Sequence, residues 1–195
     1  MFYYSGHGSQ ESAPKEFWQI EPDHLDETLV CYDSRTENCW DLADKELAKL
    51  IAEVAKKDPH ITIILDCCHS GSGTKDPIQT AKERHLETDK RERPVDSFIF
   101  SLDDLTQLSD SRDPEQHPTG WKIPTGRHVL LAACRDYETA KENNKKNRGY
   151  FSYFLMDTLS KANGKLTYRD LFARTNASVR IERSDQSQQL EVTHT

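Results

Sequence analysis

One run of residues constrains this chain more than any other: Ile61-Thr62-Ile63-Ile64-Leu65-Asp66, β-branched or apolar up to its last position, which stops at Cys67-Cys68-His69-Ser70-Gly71. A strand without polar alternation is covered on both faces, as in a parallel sheet packed between helices. Two further runs have the same look, Phe2 to Ser5, which halts at Gly6-His7-Gly8, and His128 to Cys134. Between the first two, residues 41–57 space Leu42, Leu47, Leu50, Ile51 and Val54 for one helical face. Asp41 is placed to cap that helix, Asp44 favours its dipole, Lys56 and Lys57 suit its end, and Pro59 prevents continuation. It reads as a crossover between parallel strands. Residues 149–162 repeat the helical pattern with Phe151, Phe154, Leu155 and Leu159, stopping near Gly164. A third helix starts from Thr167, whose hydroxyl and Asp170 form a cap-like pair, with Leu171, Phe172 and Val179 on its apolar side. Strand-like and helix-like runs in alternation give an α/β fold class.

Composition bounds the function. A length of 195 residues suits one domain, 1–195. Thirty-three acidic against 26 basic residues leave a net charge of −7, which offers no footprint for nucleic acid. Hydrophobic residues make up 35% of the chain, so long polar loops are expected to dilute the core, and 74–97 and 107–126 read as exposed loops. No run approaches the roughly 18 apolar residues of a membrane span, and Met1 leads straight into Phe2-Tyr3-Tyr4-Ser5 without a signal segment. The expectation is a cytoplasmic protein with no membrane partner. Five cysteines, an odd number scattered over a chain of this size, are expected to be free thiols. Adjacent Cys67 and Cys68 point to opposite faces of an extended strand, and no CxxC or HxxxH pair exists, so no metal site is expected.

The chemistry sits where two strands end. Open parallel sheets bind ligands beyond the carboxyl ends of their strands. In extended chain, residues two apart point the same way, so Ser5 shares a face with His7, and Asp66 with Cys68. If the strands are neighbours, four side chains of complementary type converge. A thiol needs a base to become a nucleophile, and an imidazole within reach can take its proton and later hand it to a leaving amine. Cys68 and His7 can fill those roles. The amides of Gly8 and Cys68 are candidates for stabilising an oxyanion, and the Asp66 carboxylate would attract a cationic substrate side chain. Cys67, on the opposite face, suits inert packing. The clusters Gly6-His7-Gly8 and Gly71-Ser72-Gly73 are too short for phosphate loops.

Tyr3 to Ser9 (YYSGHGS) and Asp66 to Gly73 (DCCHSGSG) resemble the histidine and cysteine boxes of the metacaspase and orthocaspase branch of the caspase-like cysteine proteases. Weaker similarity continues through 130–142 and 149–159, which resemble the small-subunit region. The resemblance implies a caspase-like three-layer α/β fold, its mostly parallel central sheet flanked by helices. It divides the chain into a catalytic part at 1–73, a polar linker with loops at 74–126 and a small-subunit-like part at 127–195. It also implies a cysteine endopeptidase in which His7 and Cys68 form the catalytic dyad. Gly8 and Cys68 would form the oxyanion hole, and Ser5 and Asp66 would line a pocket for Arg or Lys before the cleaved bond. His69 and Ser70 belong to the motif in a turn. The family's domain begins with a further strand, helix and strand ahead of the histidine box, so the first strands are expected to be missing and an apolar sheet edge bared. Many metacaspases carry an Asp-Asp pair at the start of the crossover helix that helps bind calcium. Here the stretch reads Ala43-Asp44-Lys45-Glu46, so calcium independence or weak binding is expected, and no cofactor is required for the chemistry. The linker carries Lys75, Lys82, Arg84, Lys90, Arg91 and Arg93, where an enzyme cutting after basic residues could cut itself. The alternative reading is an inactive or fragmentary caspase-like module with a regulatory or assembly role.

Overall fold

The computed structural model describes residues 1–18, 21–68, 82–99, 127–135, 138–143 and 147–192. His69, Ser70, Gly71, Gly73, Lys75 and the stretch 107–126 therefore lie outside the described residues. Ten strands are described: β1 (Phe2–Ser5), β2 (Gly8–Ser12), β3 (Leu25–Leu29), β4 (Leu42–Ala43), β5 (Ile61–Asp66), β6 (Lys82–Glu83), β7 (His128–Ala132), β8 (Lys141–Asn143), β9 (Arg148–Gly149) and β10 (Gln189–Val192). The helices are α1 (Asp44–Ala55), α2 (Tyr150–Lys161) and α3 (Tyr168–Glu182).

The central sheet runs β1-β5-β7-β10, with β1, β5 and β7 parallel and β10 antiparallel at one edge. All residues of β5 and β7 are buried, as their unbroken apolar character requires. Ile61, Ile63, Leu65 and Leu130 face α1 and meet Leu47 and Ile51. Ile64, Val129 and Leu131 face the other way, onto Phe151 and Leu155 of α2 and Leu171 of α3. The architecture is thus three layers, a mostly parallel sheet between helices. Strand β1 forms the other edge among the described residues, with Phe2 and Tyr4 packed on the α1 side and Tyr3 48% exposed.

Helix α3 starts as its sequence implies: the Thr167 hydroxyl accepts from the Asp170 amide at 3.1 Å. Helix α2 ends at Lys161, and the chain turns away at Gly164, whose φ of +69° favours glycine and whose amide closes onto the Leu159 carbonyl at 2.9 Å. Helix α1 departs from expectation. Asp41 does not cap it; its Oδ2 accepts from Thr28 Oγ1 at 3.1 Å and from Arg35 Nη2 at 2.9 Å. Leu42 and Ala43 pair with β3, and the Glu46 side chain reaches back to the Ala43 amide at 3.0 Å. The ion pair with half-buried Arg35 holds Asp41 away from the cap position, because it compensates two charged groups instead of one amide.

The polar residues also depart from expectation. A second sheet, β2-β3-β4, carries buried charges beside a small apolar cluster of Ala13, Phe17, Ala43 and Phe98. The Arg93 guanidinium bonds Glu11 Oε1 and Glu46 Oε1, each at 2.8 Å, and stacks over the Phe98 ring. Lys45 is 1% exposed and joins Asp26, Glu21 and Asp44. Within 82–97, read above as exposed loop, Arg84, Asp89 and Arg93 are buried. Polar loops therefore account for only part of the low hydrophobic content; charged residues buried inside the domain also contribute to it.

Leu130→Ala, at a fully buried position in the α1-facing core, is expected to lower unfolding free energy by about 2–5 kcal/mol in urea denaturation. Ile181→Ala, at a side chain 84% exposed, should stay within about 0.5 kcal/mol of the parent.

Candidate active site

The site begins with one register pair. Strands β1 and β5 run parallel with Ser5 opposite Asp66, so the two glycine-flanked clusters leave the sheet side by side. The Gly6 amide extends the ladder to the Asp66 carbonyl at 3.3 Å. Beyond it, the His7 backbone is clamped. Its carbonyl accepts from the Val30 amide at 3.0 Å and from the Tyr4 hydroxyl at 2.7 Å. Burial raises the Tyr4 pKa, which keeps that hydroxyl a donor.

The alternation along β5 sorts the adjacent cysteines. Cys67 packs in the cluster beneath α1, and burial pushes its thiol well above the usual range. Cys68 lies in the opposite cluster with Cys134, Ala140 and Phe151, and is 1% exposed. Its Sγ lies 4.0 Å from the Ala140 carbonyl oxygen. Pairing with Cys68, together with burial, raises the Cys134 thiol well above its ordinary pKa. No hydrogen bond joins His7 to Cys68 among the described residues, and His7 Nδ1 is buried without a partner among them.

The two candidate oxyanion amides meet on one atom. The Gly8 amide donates to the Arg84 carbonyl oxygen at 3.1 Å, and the Cys68 amide donates to the same oxygen at 3.3 Å. The Arg84 guanidinium reaches back to the strand ends: Nη1 donates to Ser5 Oγ and to the Asp66 carbonyl oxygen, both at 2.8 Å, and Nη2 lies 3.7 Å from Glu142 Oε1.

The Asp66 carboxylate has a task that its place in the motif does not reveal. Its Oδ2 accepts from the Ser152 amide at 3.0 Å, in the first turn of α2, where the free amides and the helix dipole favour an anion. A Cβ on Gly149 would run into this carboxylate, so the residue before α2 must be glycine for the helix to sit so close. Burial raises the Asp66 pKa, opposed by Arg84 and by the bonds to Ser152. Toward Arg84, Asp66 offers its main-chain oxygen as the hydrogen-bond acceptor, while the carboxylate supplies charge nearby.

The structure thus gathers Ser5, Gly8, Asp66 and Cys68 around one carbonyl and one guanidinium. A caspase-domain family model matches residues 1–195. The chain belongs to the caspase-domain family. Among curated relatives, metacaspase-5 of Trypanosoma cruzi is 23% identical over 192 residues, covering 97% of this chain and 39% of the relative. Metacaspase-3 of the same organism is 27% identical over 86 residues, or 44% of this chain and 22% of its own length. The chain therefore spans well under half the length of these metacaspases. A crystal structure of a Geobacter sulfurreducens protein superposes with a TM-score of 0.58 at 21% identity, covering 99% of this chain and 65% of that one, which supports the fold.

Sequence reading of the caspase-domain boxes missed Glu142, Gly149 and Ser152, and it placed Arg84 in solvent. Glu142 and Gly149 pair with one another across β8 and β9, a contact no motif encodes. Among the described residues, no group of three or more His, Cys, Asp or Glu side chains is placed to hold a metal ion, and no helix is long and apolar enough to cross a membrane.

Burial, then the Lys82 and Arg84 charges, hold the His7 pKa below the ordinary imidazole value of 6.5, with Glu142 opposing. The folded imidazole resists a proton that the unfolded chain accepts. Folding stability therefore falls as pH drops through 6.5 and levels off below the folded pKa. NMR titration of the His7 ring should give a midpoint below 6.5, raised in Lys82→Gln; a midpoint at or above 6.5 would contradict this placement.

Proposed function

We propose that the chain is a cysteine endopeptidase cutting after Arg or Lys. The observation that carries the reading is the convergence of the Gly8 and Cys68 amides on a single carbonyl oxygen, 3.1 and 3.3 Å away. Two donors aimed at one oxygen are what a tetrahedral intermediate of acyl transfer requires. Cys68 is the nucleophile, and His7, across the same strand ends, takes the thiol proton and returns it to the leaving amine. Attack requires the Cys68 Sγ to turn from the Ala140 carbonyl toward the substrate carbon. Ser5, the Asp66 carbonyl and the buried Asp66 carboxylate hold the cationic side chain before the cleaved bond, and Glu142 adds a second negative charge. Protein or peptide substrates follow from this pocket. Five free thiols suit a reducing compartment such as the cytoplasm.

Calcium has no part in this account. The Lys45 ammonium lies among Asp26, Glu21 and Asp44, its Nζ 3.0 Å from Glu21 Oε1. Burial opposes its charge, but Asp44, Asp26 and Glu21 hold its pKa above the ordinary value. A fixed cation in that cluster does the charge compensation a divalent ion would otherwise supply.

Fluorogenic peptides ending in Arg, Lys, Asp or Leu test the reading. Hydrolysis is expected for Arg and Lys alone, with Cys68→Ala losing about a thousandfold or more. Chelator and millimolar calcium should give the same rate. A folded chain that hydrolyses none of the four would favour a regulatory caspase-like module, and hydrolysis after Asp would remove the pocket assignment.

A further inference from the structure

Beside the end of β5, strand β7 delivers another buried cysteine. The ladder between the two strands closes where the Ala133 amide donates to the Leu65 carbonyl at 2.9 Å, and Cys134 is the next residue along. Its Sγ lies 3.6 Å from the Cys67 carbonyl oxygen, and it packs in the cluster that holds Cys68, Ala140 and Phe151. The Cys134 and Cys68 side chains are hydrogen-bonded to one another. Neighbouring strands lie about 4.8 Å apart. A disulfide spans α-carbons about 4.4–6.8 Å apart, so the sheet spacing suits a bond between these two sulfurs. The backbone beside Cys134 is held in place, because the Ala133 carbonyl accepts from Gln186 Nε2 at 2.9 Å and from Gln188 Nε2 at 3.1 Å, both side chains buried. The remaining cysteines are placed elsewhere. Cys67 packs beneath α1 on the other face of the sheet, and Cys31 and Cys39 lie between β3 and β4.

Resting on the assignment of Cys68 as the nucleophile, we propose that Cys68 and Cys134 form a reversible disulfide under hydroperoxides, which silences the site and spares the nucleophile from deeper oxidation. The Cys68 thiol gives its proton to His7, and the sulfur attacks one oxygen of hydrogen peroxide. The oxygen–oxygen bond breaks, the departing hydroxide takes that proton as water, and Cys68 becomes a sulfenic acid. The Cys134 sulfur then attacks the Cys68 sulfur, the sulfur–oxygen bond breaks, and the second hydroxide takes the Cys134 proton as water. One peroxide is reduced and two thiols are oxidised to a disulfide. A thiol already in contact traps the sulfenic acid before a second peroxide carries it to the irreversible sulfinic stage. Bonded to Cys134, Cys68 has no thiolate with which to attack a carbonyl, and a dithiol restores it by exchange.

Peptide mapping without reductant, on the full chain before and after hydrogen peroxide, tests this beside hydrolysis of an Arg-terminated peptide. Oxidised wild type should yield a peptide linked through Cys134. Its hydrolysis should fall in proportion to the linked fraction and return with dithiothreitol. Cys67→Ala should keep the link, which Cys68→Ala and Cys134→Ala should lose. Reduced Cys134→Ala should hydrolyse the peptide, then lose that activity to peroxide beyond rescue by dithiothreitol, with sulfinic acid on Cys68. Wild type that reaches the sulfinic acid without a link, or a link that survives in Cys68→Ala, would overturn the proposal and leave the endopeptidase reading standing. A link that forms in a folded chain whose reduced form hydrolyses no peptide would overturn the endopeptidase reading and the silencing, leaving only the thiol pair.

Discussion

The parallel pairing of β1 with β5, in the register that sets Ser5 beside Asp66, is the contact on which everything else depends. It brings two clusters some sixty residues apart in sequence to the same end of one sheet. A shift by one residue would turn Asp66 and Cys68 toward α1 and expose Cys67 to the site, because side chains alternate across a strand. The register is secured on both faces at once. Tyr4 packs on the α1 side and holds the His7 carbonyl, while Tyr3 reaches Ser152 at the start of α2 through its hydroxyl at 2.7 Å. Asp66 then ties α2 to the sheet through the Ser152 amide. Strand order, helix position and site geometry are thus coupled through a few bonds at one strand end.

Between β2, β3 and α1 the interior carries buried charge as well as apolar side chains. Arg93 links β2 to α1 through Glu11 and Glu46, and Lys45 gathers carboxylates from α1, from β3 and from Glu21 ahead of β3. Burial pushes the Glu11 carboxyl up to about 7 even with Arg93 against it, so desolvation outweighs the ion pair there. Such pairs contribute little net stability, yet removing one partner strands a buried charge at a cost of about 3–5 kcal/mol. They fix how β2, β3 and α1 sit together, and through β2 they fix where the Gly8 amide points.

Legibility in the sequence followed the range of the interaction. The strand 61–66, the sorting of Cys67 from Cys68 and the Thr167 cap depend on neighbours within a few residues, and all three are visible in the pattern. Asp41 reads locally as a cap because the residues that claim it, Thr28 and Arg35, are brought by folding of the β3 region. Arg84 reads as a solvated linker residue for the same reason: nothing near it in sequence hints that Ser5 and the Asp66 carbonyl will receive it. Arg93 reads as a residue of an exposed loop, and Lys45 and Glu46 as positions at the start of the crossover helix, since sequence shows the ions without showing how they are paired. Ser5 and Asp66 lie opposite one another, as neighbouring strand ends imply, whereas His7 and Cys68 share no hydrogen bond among the described residues and Gly149 and Ser152 approach only through helix packing.

The most direct test of the central claim is active-site capture. An arginine chloromethyl ketone peptide is added to the Arg84→Ala chain, and the labelled cysteine is located by peptide mapping. The account predicts one adduct, on Cys68, suppressed by excess Arg-terminated peptide and accompanied by none on Cys67, which lies a single residue away on the other face of the sheet. Labelling confined to the exposed Cys31 and the half-buried Cys39, indifferent to competing peptide, would contradict it.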